Sequence, residues 1–221
     1  MLNSFSYVMM LLPKCTLQTI YMTLVSTIFA CILGFPLGTI LYAASPAGLM
    51  PRKILYNVLS RFVNIFRSFP FIILMVVIMP LSRLIIGTSI GPTAVIIPLA
   101  IAAAPFVARI AESALQEVDG GVILAARAMG STNLQIICKV LIPEALPSLV
   151  SGLALTIITI IGYSAMAGAI GGEGLGDMAI RYGYYRFRMD VTFAAVVVIL
   201  LLVEAVQVTG TLISRSLLSK R

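Results

Sequence analysis

The sequence predicts an all-α membrane protein, a bundle of five transmembrane helices with a short water-exposed helix between the third and fourth. Two observations predict it. Of 221 residues, 60% are hydrophobic and 10% charged, with a mean hydropathy of +1.09, whereas a soluble domain is about 45–50% apolar and about 25% charged. The apolar residues also come in blocks long enough to cross the hydrocarbon core, which takes about 20 of them. Those blocks lack the alternation of a barrel strand, so helices must satisfy the backbone in lipid. The length suits one compact bundle, and residues 1–221 read as a single domain without repeats or linkers.

The first crossing is expected over residues 16–44, free of charge from Thr16 to Ala44. Within it "GFPLG" at Gly34–Gly38 has the G-x-x-x-G spacing that lets helices approach closely. Pro36 argues for a kink there at least as strongly as for a seam between subunits. The second crossing is expected over 56–81, with Arg61 and Arg67 in its first half. The third is expected over 92–114, the fourth over 145–169 and the fifth over 191–214. Pro70, Pro80, Pro98 and Pro105 fall within or beside these runs, where they free carbonyls and allow kinks.

Between the third and fourth crossings, residues 118–141 form a polar interruption. Asp119 can cap a short helix over Val122–Gly130, built on the good formers of "AARAMG" and closed by Gly130. Ser131 and Thr132 offer a second N-terminus. Ile136, Ile137, Val140 and Leu141 then recur at helical spacing on one apolar face. Pro143 and Pro147 mark a bend into the fourth crossing. Two readings stand on the residues alone. One is an amphipathic connector lying on the membrane surface. The other is a narrow ridge of small side chains, Ala125, Ala126, Ala128, Gly130 and Ser131, shaped for a partner's cleft.

Charge sets the orientation. One side holds Arg52, Lys53, Arg61, Arg67, Arg109, Arg127, Lys139, Arg215, Lys220 and Arg221. The other holds Lys14, Arg83, Arg181, Arg186 and Arg188. The richer side is expected to be cytoplasmic, which puts the N-terminus outside and the C-terminus inside. The N-terminal segment lacks a basic n-region and a small-residue cleavage site, and reads as mature protein. The net charge of +7 is scattered among apolar spans, so nucleic acid is not the expected partner; the lipid bilayer is.

Several functions are disfavoured. There is no His, which removes the commonest general base, metal ligand and haem ligand. Cys15, Cys31 and Cys138 are far apart and read as packing residues. No G-x-x-x-x-G-K-[ST] is present, and "GGEGLG" follows a span without a βαβ unit, so no nucleotide site is expected. An intramembrane enzyme lacks a paired nucleophile and base. A membrane anchor of a redox complex lacks a His to hold haem. No cofactor or metal is expected. Inside the membrane, Arg67, Ser68 and Pro70 of "FRSFP" are candidate pathway or gate residues. Glu204 reads as the one acidic residue well inside a span, and a buried Arg67–Glu204 pair is expected. A charge at a helix centre costs roughly 2.5–3.5 kcal/mol on the insertion scale. Tyr182, Tyr184, Tyr185 and Phe187 alternate with Arg181, Arg186 and Arg188. They read as an interfacial aromatic belt, or as a contact for an extracytoplasmic binding protein.

The interruption resembles the signature loop of permease subunits of bacterial ATP-binding-cassette importers. That signature is E-A-A, three residues, Gly, nine residues, then I-x-L-P. Ala125 and Ala126 match the paired alanines, Gly130 the glycine, and Val140, Ile142 and Pro143 the close; Leu124 stands where the Glu would be. "NIFRSFPFIIL", "GTSIG", "AAAPFVARIAESAL", "RAMGST", "KVLIPEALPSLVSG" and "GYSAMAGAIGGEGLG" are similar to the methionine-importer permeases, from about Thr16 to Tyr185. The resemblance implies a homodimer in the bacterial inner membrane. It implies a dimer of cytoplasmic ATPases that hydrolyse ATP, and an extracytoplasmic substrate-binding protein. It implies that a coupling helix, Ala125, Ala126, Arg127, Ala128, Met129, Gly130, Ser131 and Thr132, docks into the ATPase. It also implies that the fourth crossing lines the pathway, with Tyr163, Ser164 and Met166 as candidate contacts. A permease of the same class for another small polar solute remains the alternative.

Overall fold

The computed structural model describes the backbone of residues 4–219 and the side chains of residues 8–219. Lys220 and Arg221, counted above for orientation, lie outside them. Among the described residues every regular element is helical. Four helical stretches are long and apolar enough to cross a membrane: Val8–Ala44, Ile96–Gln116, Asn133–Gly172 and Met189–Leu218. A bent pair makes a fifth candidate.

Helix α1 (Ser4–Ala44) runs unbroken through Pro13 and Pro36. It starts at Ser4 rather than Thr16 because Val8, Leu11 and Leu12 pack on a buried cluster of Leu175, Met178 and Val191. Its main neighbour is α4 (Ile96–Gln116), which carries Pro98 and Pro105 without a break. A Cβ added to Gly34 would stand 2.4 Å from the Ala104 carbonyl oxygen, and one on Gly38 2.3 Å from that of Ala108. The G-x-x-x-G spacing is therefore spent inside one chain, on the α1–α4 contact, and not on a seam between subunits. Ala104, Ala108 and Ala111 supply the matching small surface on α4.

The expected crossing over 56–81 is broken in two beside Pro70, where the sequence allowed a kink. Helix α2 (Lys53–Ser68) and helix α3 (Phe71–Ile86) meet at 104°. Phe69 is extended (φ −69°, ψ 132°) because the Pro70 ring excludes the helical region for the residue before it. Pro80, by contrast, sits inside α3 without ending it. The pair still leads from the end where α1 finishes to the opposite end, where the Gly91 N–H donates to the Gly171 carbonyl at 2.9 Å.

After α4 come α5 (Gly120–Ala128) and α6 (Asn133–Ile136). A π turn, Ile137–Leu141, then joins α6 to α7 (Ile142–Ala167). The fourth crossing thus belongs to one helical stretch that begins at Asn133, not at residue 145. In place of the expected bend, the Ile142 N–H reaches back to the Ile137 carbonyl. The longer i→i+5 ring admits Pro143, which has no N–H to donate and whose ring would crowd the carbonyl four residues back. A second π turn, Gly168–Gly172, leads to α8 (Gly174–Asp177), a π-helical segment Met178–Tyr184, and α9 (Met189–Leu218).

The α1–α4 seam yields a stability prediction. Gly38→Val drives a branched side chain against the Ala108 backbone and should cost roughly 1–3 kcal/mol, the usual range for overpacking. Gly162→Ala, where nothing lies within 4 Å of the new Cβ, should be neutral or slightly stabilising. Thermal unfolding of the detergent-solubilised protein checks both, and an unchanged melting temperature for Gly38→Val refutes the seam.

Candidate functional site

The hook between α4 and α7 is built from local signals. The Asp119 carboxylate accepts from the Gly121 N–H at 2.7 Å and starts α5. Gly130, at φ +81°, ends it in the left-handed conformation, and the Ser131 N–H returns to the Ala126 carbonyl at 3.1 Å. Thr132 and Gln135 then form a reciprocal capping box that opens α6. Helix α5 is two-faced. Ala126 is buried in a cluster with Tyr42, Leu49, Leu115, Ile136 and Leu141. The Arg127 guanidinium donates to the Leu49 carbonyl at 3.2 Å, which ties α5 to the turn after α1. The opposite face is exposed and apolar and continues onto α6: Leu124 is 66% exposed and Met129 79%, with Ala125 and Ala128 between, and Leu134 of α6 is 71% exposed. So Ala126 seats the hook from within and Arg127, itself exposed, ties it to Leu49, while Ala125, Ala128 and Met129 face outward. Thr132 is exposed, and Ser131 is partly covered.

A second constellation lies between α2 and α4, and sequence reasoning missed it. Lys53, Asn57, Ser60, Arg61, Asn64, Arg67 and Ser68 fall at helical spacing on one side of α2. From α4, the Arg109 guanidinium donates to Ser60 Oγ at 2.9 Å and to Asn64 Oδ1 at 2.8 Å. It also pairs with Glu112 at 2.6 Å. Glu112, its side chain 3% exposed, accepts further from Gln116. Glu204 is therefore not the one acid inside a span; Glu112 is the buried one. The i, i+3 spacing of Arg109 and Glu112 and the periodicity of α2 were the available signals.

No ion pair joins Arg67 and Glu204. Glu204 is exposed on α9, which packs on α7 and α1. The Arg67 guanidinium instead lies over the Phe106 ring, 5.9 Å from its centroid. It lines a pocket of about 230 Å³ at the α2–α3 break. Phe66 and Phe69 line the α2 side of this pocket, Phe71 the α3 side, and Phe106, Thr159 and Tyr163 the facing helices. Phe71 and Tyr163 stack at 4.3 Å, nearly parallel. Of the sequence candidates, Arg67 and Tyr163 thus come together, and Pro70 makes the break beside them. Ser68 donates to the Asn64 carbonyl. Ser164 is buried, with its hydroxyl donating to the Ile161 carbonyl at 2.8 Å. Met166 is 45% exposed near the end of α7.

At the far end, the loop after α7 is held to α1. Gln18 donates to the Glu173 carboxylate, the Gly174 N–H donates to Gln18 Oε1, and the Leu175 N–H donates to Thr19 Oγ1. Glu173 itself is at φ +59°, a conformation that favours glycine. Burial pushes the Asp177 carboxyl above its usual range, against the hydrogen bond from Arg181. The guanidinium groups of Arg181 and Arg186 lie over the Tyr182 ring, 5.0 Å from its centroid in each case. Tyr184, Tyr185 and Phe187 are exposed.

The sequence profile described as binding-protein-dependent transport system inner membrane component matches residues 34–218. The chain is 48% identical over 205 residues to the probable D-methionine transport system permease protein MetI of Vibrio cholerae, covering 93% of this chain and 91% of that protein. It is 51% identical over 160 residues to the D-methionine transport system permease protein MetI of Escherichia coli K12, covering 72% of this chain and 74% of that one. Its structure is similar to a chain of the MetNI methionine ABC transporter in an inward-facing conformation. The TM-score is 0.92 at 44% identity, covering 98% of this chain and 99% of that chain.

The α2–α4 network yields its own test. Glu112→Ala strips the buried partner from Arg109 and should destabilise the fold by roughly 3 kcal/mol. Replacing Arg109 and Glu112 together by Leu should recover most of that loss, because no lone charge is then left inside. Thermal melts of the single and double variants decide the matter; additive losses count against a coupled pair.

Proposed function

Because the chain belongs to the binding-protein-dependent transport system inner membrane component family, we propose that its hook is the coupling element of an ATP-driven methionine importer. The chain is the permease subunit, which forms the membrane pathway; ATP hydrolysis belongs to a separate subunit. The single observation that carries the coupling role is the outward apolar face shared by α5 and α6. Leu124, Ala125, Ala128, Met129 and Leu134 make a water-exposed knob at one end of an otherwise lipid-suited bundle, and an exposed apolar patch of that kind marks a contact surface. Leu124, in place of the signature Glu, makes this contact by packing rather than by an ion pair.

The rest of the reading follows from that end being cytoplasmic, as the Lys and Arg distribution favours. The bent pair α2–α3 counts as the second of five crossings, the N-terminus lies outside and the C-terminus inside. Residues 1–221 act as one permease domain and pair with a second copy. A dimer of ATPases takes the two knobs, and an extracytoplasmic binding protein delivers the solute to the end carrying Tyr184, Tyr185 and Phe187. Arg67, Ser68, Pro70, Tyr163, Ser164, Met166 and Glu204 are the residues assigned to the pathway or its gates. ATP binding must then favour one orientation of the bundle through contacts that differ between two states, since equal contacts shift nothing. The Arg127 brace and the Thr132 cap keep the knob rigid, so that its movement is the bundle's movement.

Met129→Asp places a charge on the knob without touching the buried face of α5. Copurification of the ATPase and uptake of labelled methionine should each fall at least about tenfold, equivalent to 1.4 kcal/mol, with the melting temperature unchanged. Undiminished ATPase binding by this variant and by Leu124→Asp would show that the partner docks elsewhere.

A further inference from the structure

The pocket at the α2–α3 break combines three features that no packing role requires. It is open, at about 230 Å³, a little below the roughly 300–1,000 Å³ of pockets for drug-sized ligands. Its walls are mostly aromatic, from Phe66, Phe69, Phe71, Phe106 and Tyr163. It also holds the Arg67 guanidinium, which has no anionic partner among the described residues and rests over the Phe106 ring. Arg67 shares its helix face with Asn57, Ser60, Arg61 and Asn64. A stripe that polar is not turned to acyl chains, so the mouth of the pocket faces an aqueous route.

We propose that this pocket is a transient binding site for a free α-amino acid carrying a flexible thioether side chain. The inference rests on the methionine reading above and deepens it. The Arg67 fork pairs with the substrate carboxylate, for which guanidinium geometry is matched. The unbranched side chain enters between the rings, where a polarisable sulfur makes favourable edge contacts. Thr159, whose hydroxyl already donates to the Leu155 carbonyl, keeps a lone pair for the substrate ammonium. The bend at Pro70 is what makes room: a straight helix over 56–81 would carry Phe71 past Tyr163 instead of stacking it there. Selectivity then comes from shape and ring contacts, and the charge of Arg67 sets the orientation of entry.

The test uses the permease–ATPase complex in lipid nanodiscs and a diazirine analogue of methionine as photoaffinity probe. Labelling is expected in peptides spanning Phe66–Phe71, Phe106 or Tyr163. Excess methionine should protect against it, and methioninamide, which lacks the carboxylate, should not. Arg67→Gln should cut labelling at least about tenfold, as expected from losing one charge-assisted hydrogen bond. Phe106→Leu, which keeps an apolar filler, should reduce it while the complex stays monodisperse. Labelling that maps elsewhere, or that persists in both variants, overturns the site. Methionine uptake by the unaltered complex is scored alongside. Failure of uptake sinks the substrate reading; uptake with labelling outside the pocket sinks the pocket alone.

Discussion

The approach of α1 to α4 is the contact on which the rest of the bundle hangs. In lipid, helices gain nothing from hiding apolar surface, so association depends on close packing and on polar contacts. Gly34 and Gly38 remove the side chains that would hold the two backbones apart, and Ala104, Ala108 and Ala111 return the favour from α4. The consequences run to both ends. The finish of α1 delivers Tyr42 and the turn at Leu49 to the cluster that seats α5. Its beginning delivers Gln18 and Thr19 to the loop after α7. Helix α4, held at this distance, brings Arg109 to α2 and Phe106 to the pocket.

Many polar groups in the interior are satisfied within the chain, although the buried hydroxyls of Thr23, Ser45 and Ser82 have no protein partner. Each costs free energy in an apolar setting unless it is hydrogen-bonded. The Thr16, Thr27, Thr39 and Thr156 hydroxyls donate to carbonyls four residues earlier on their own helices. Arg109 is shared among Ser60, Asn64 and Glu112. Arg67, exposed at the pocket, is a cation given an aromatic face and no anion among the described residues, and that asymmetry separates a structural charge from one available to a ligand.

The hook was legible in the sequence because its signals are local. Asp119 as cap, Gly130 as left-handed stop and Thr132 as second start need only a few neighbouring residues to act. The apolar blocks were legible for the same reason, since length and composition decide whether a helix suits lipid. What stayed hidden depends on partners distant in the chain. Nothing near Gly34 says that its neighbour is α4 and not a second subunit. Pro70 was visible as a kink, but a 104° break needs Phe71 to find Tyr163 across the bundle. Proline at 143 suggested a bend, and the π turn absorbed it without one. The Arg67–Glu204 pairing failed because isolation in sequence is no measure of proximity, while the true buried pair, Arg109 with Glu112, sat one turn apart on a single helix.

The helical stretch that begins at Asn133 and runs on until Ile170 and Gly171 leave helical backbone angles has a mechanical meaning. At about 1.5 Å per residue it makes a strut on the order of 55 Å long, rooted at one extremity in the hook and running out at the other into Gly168, Gly171 and Gly172. A stiff rod relays a push along its length with little loss, and yields where it is softest. Here the softest point is the glycine run, and the Gln18–Glu173 clasp just beyond it is what a thrust on the hook would first unfasten.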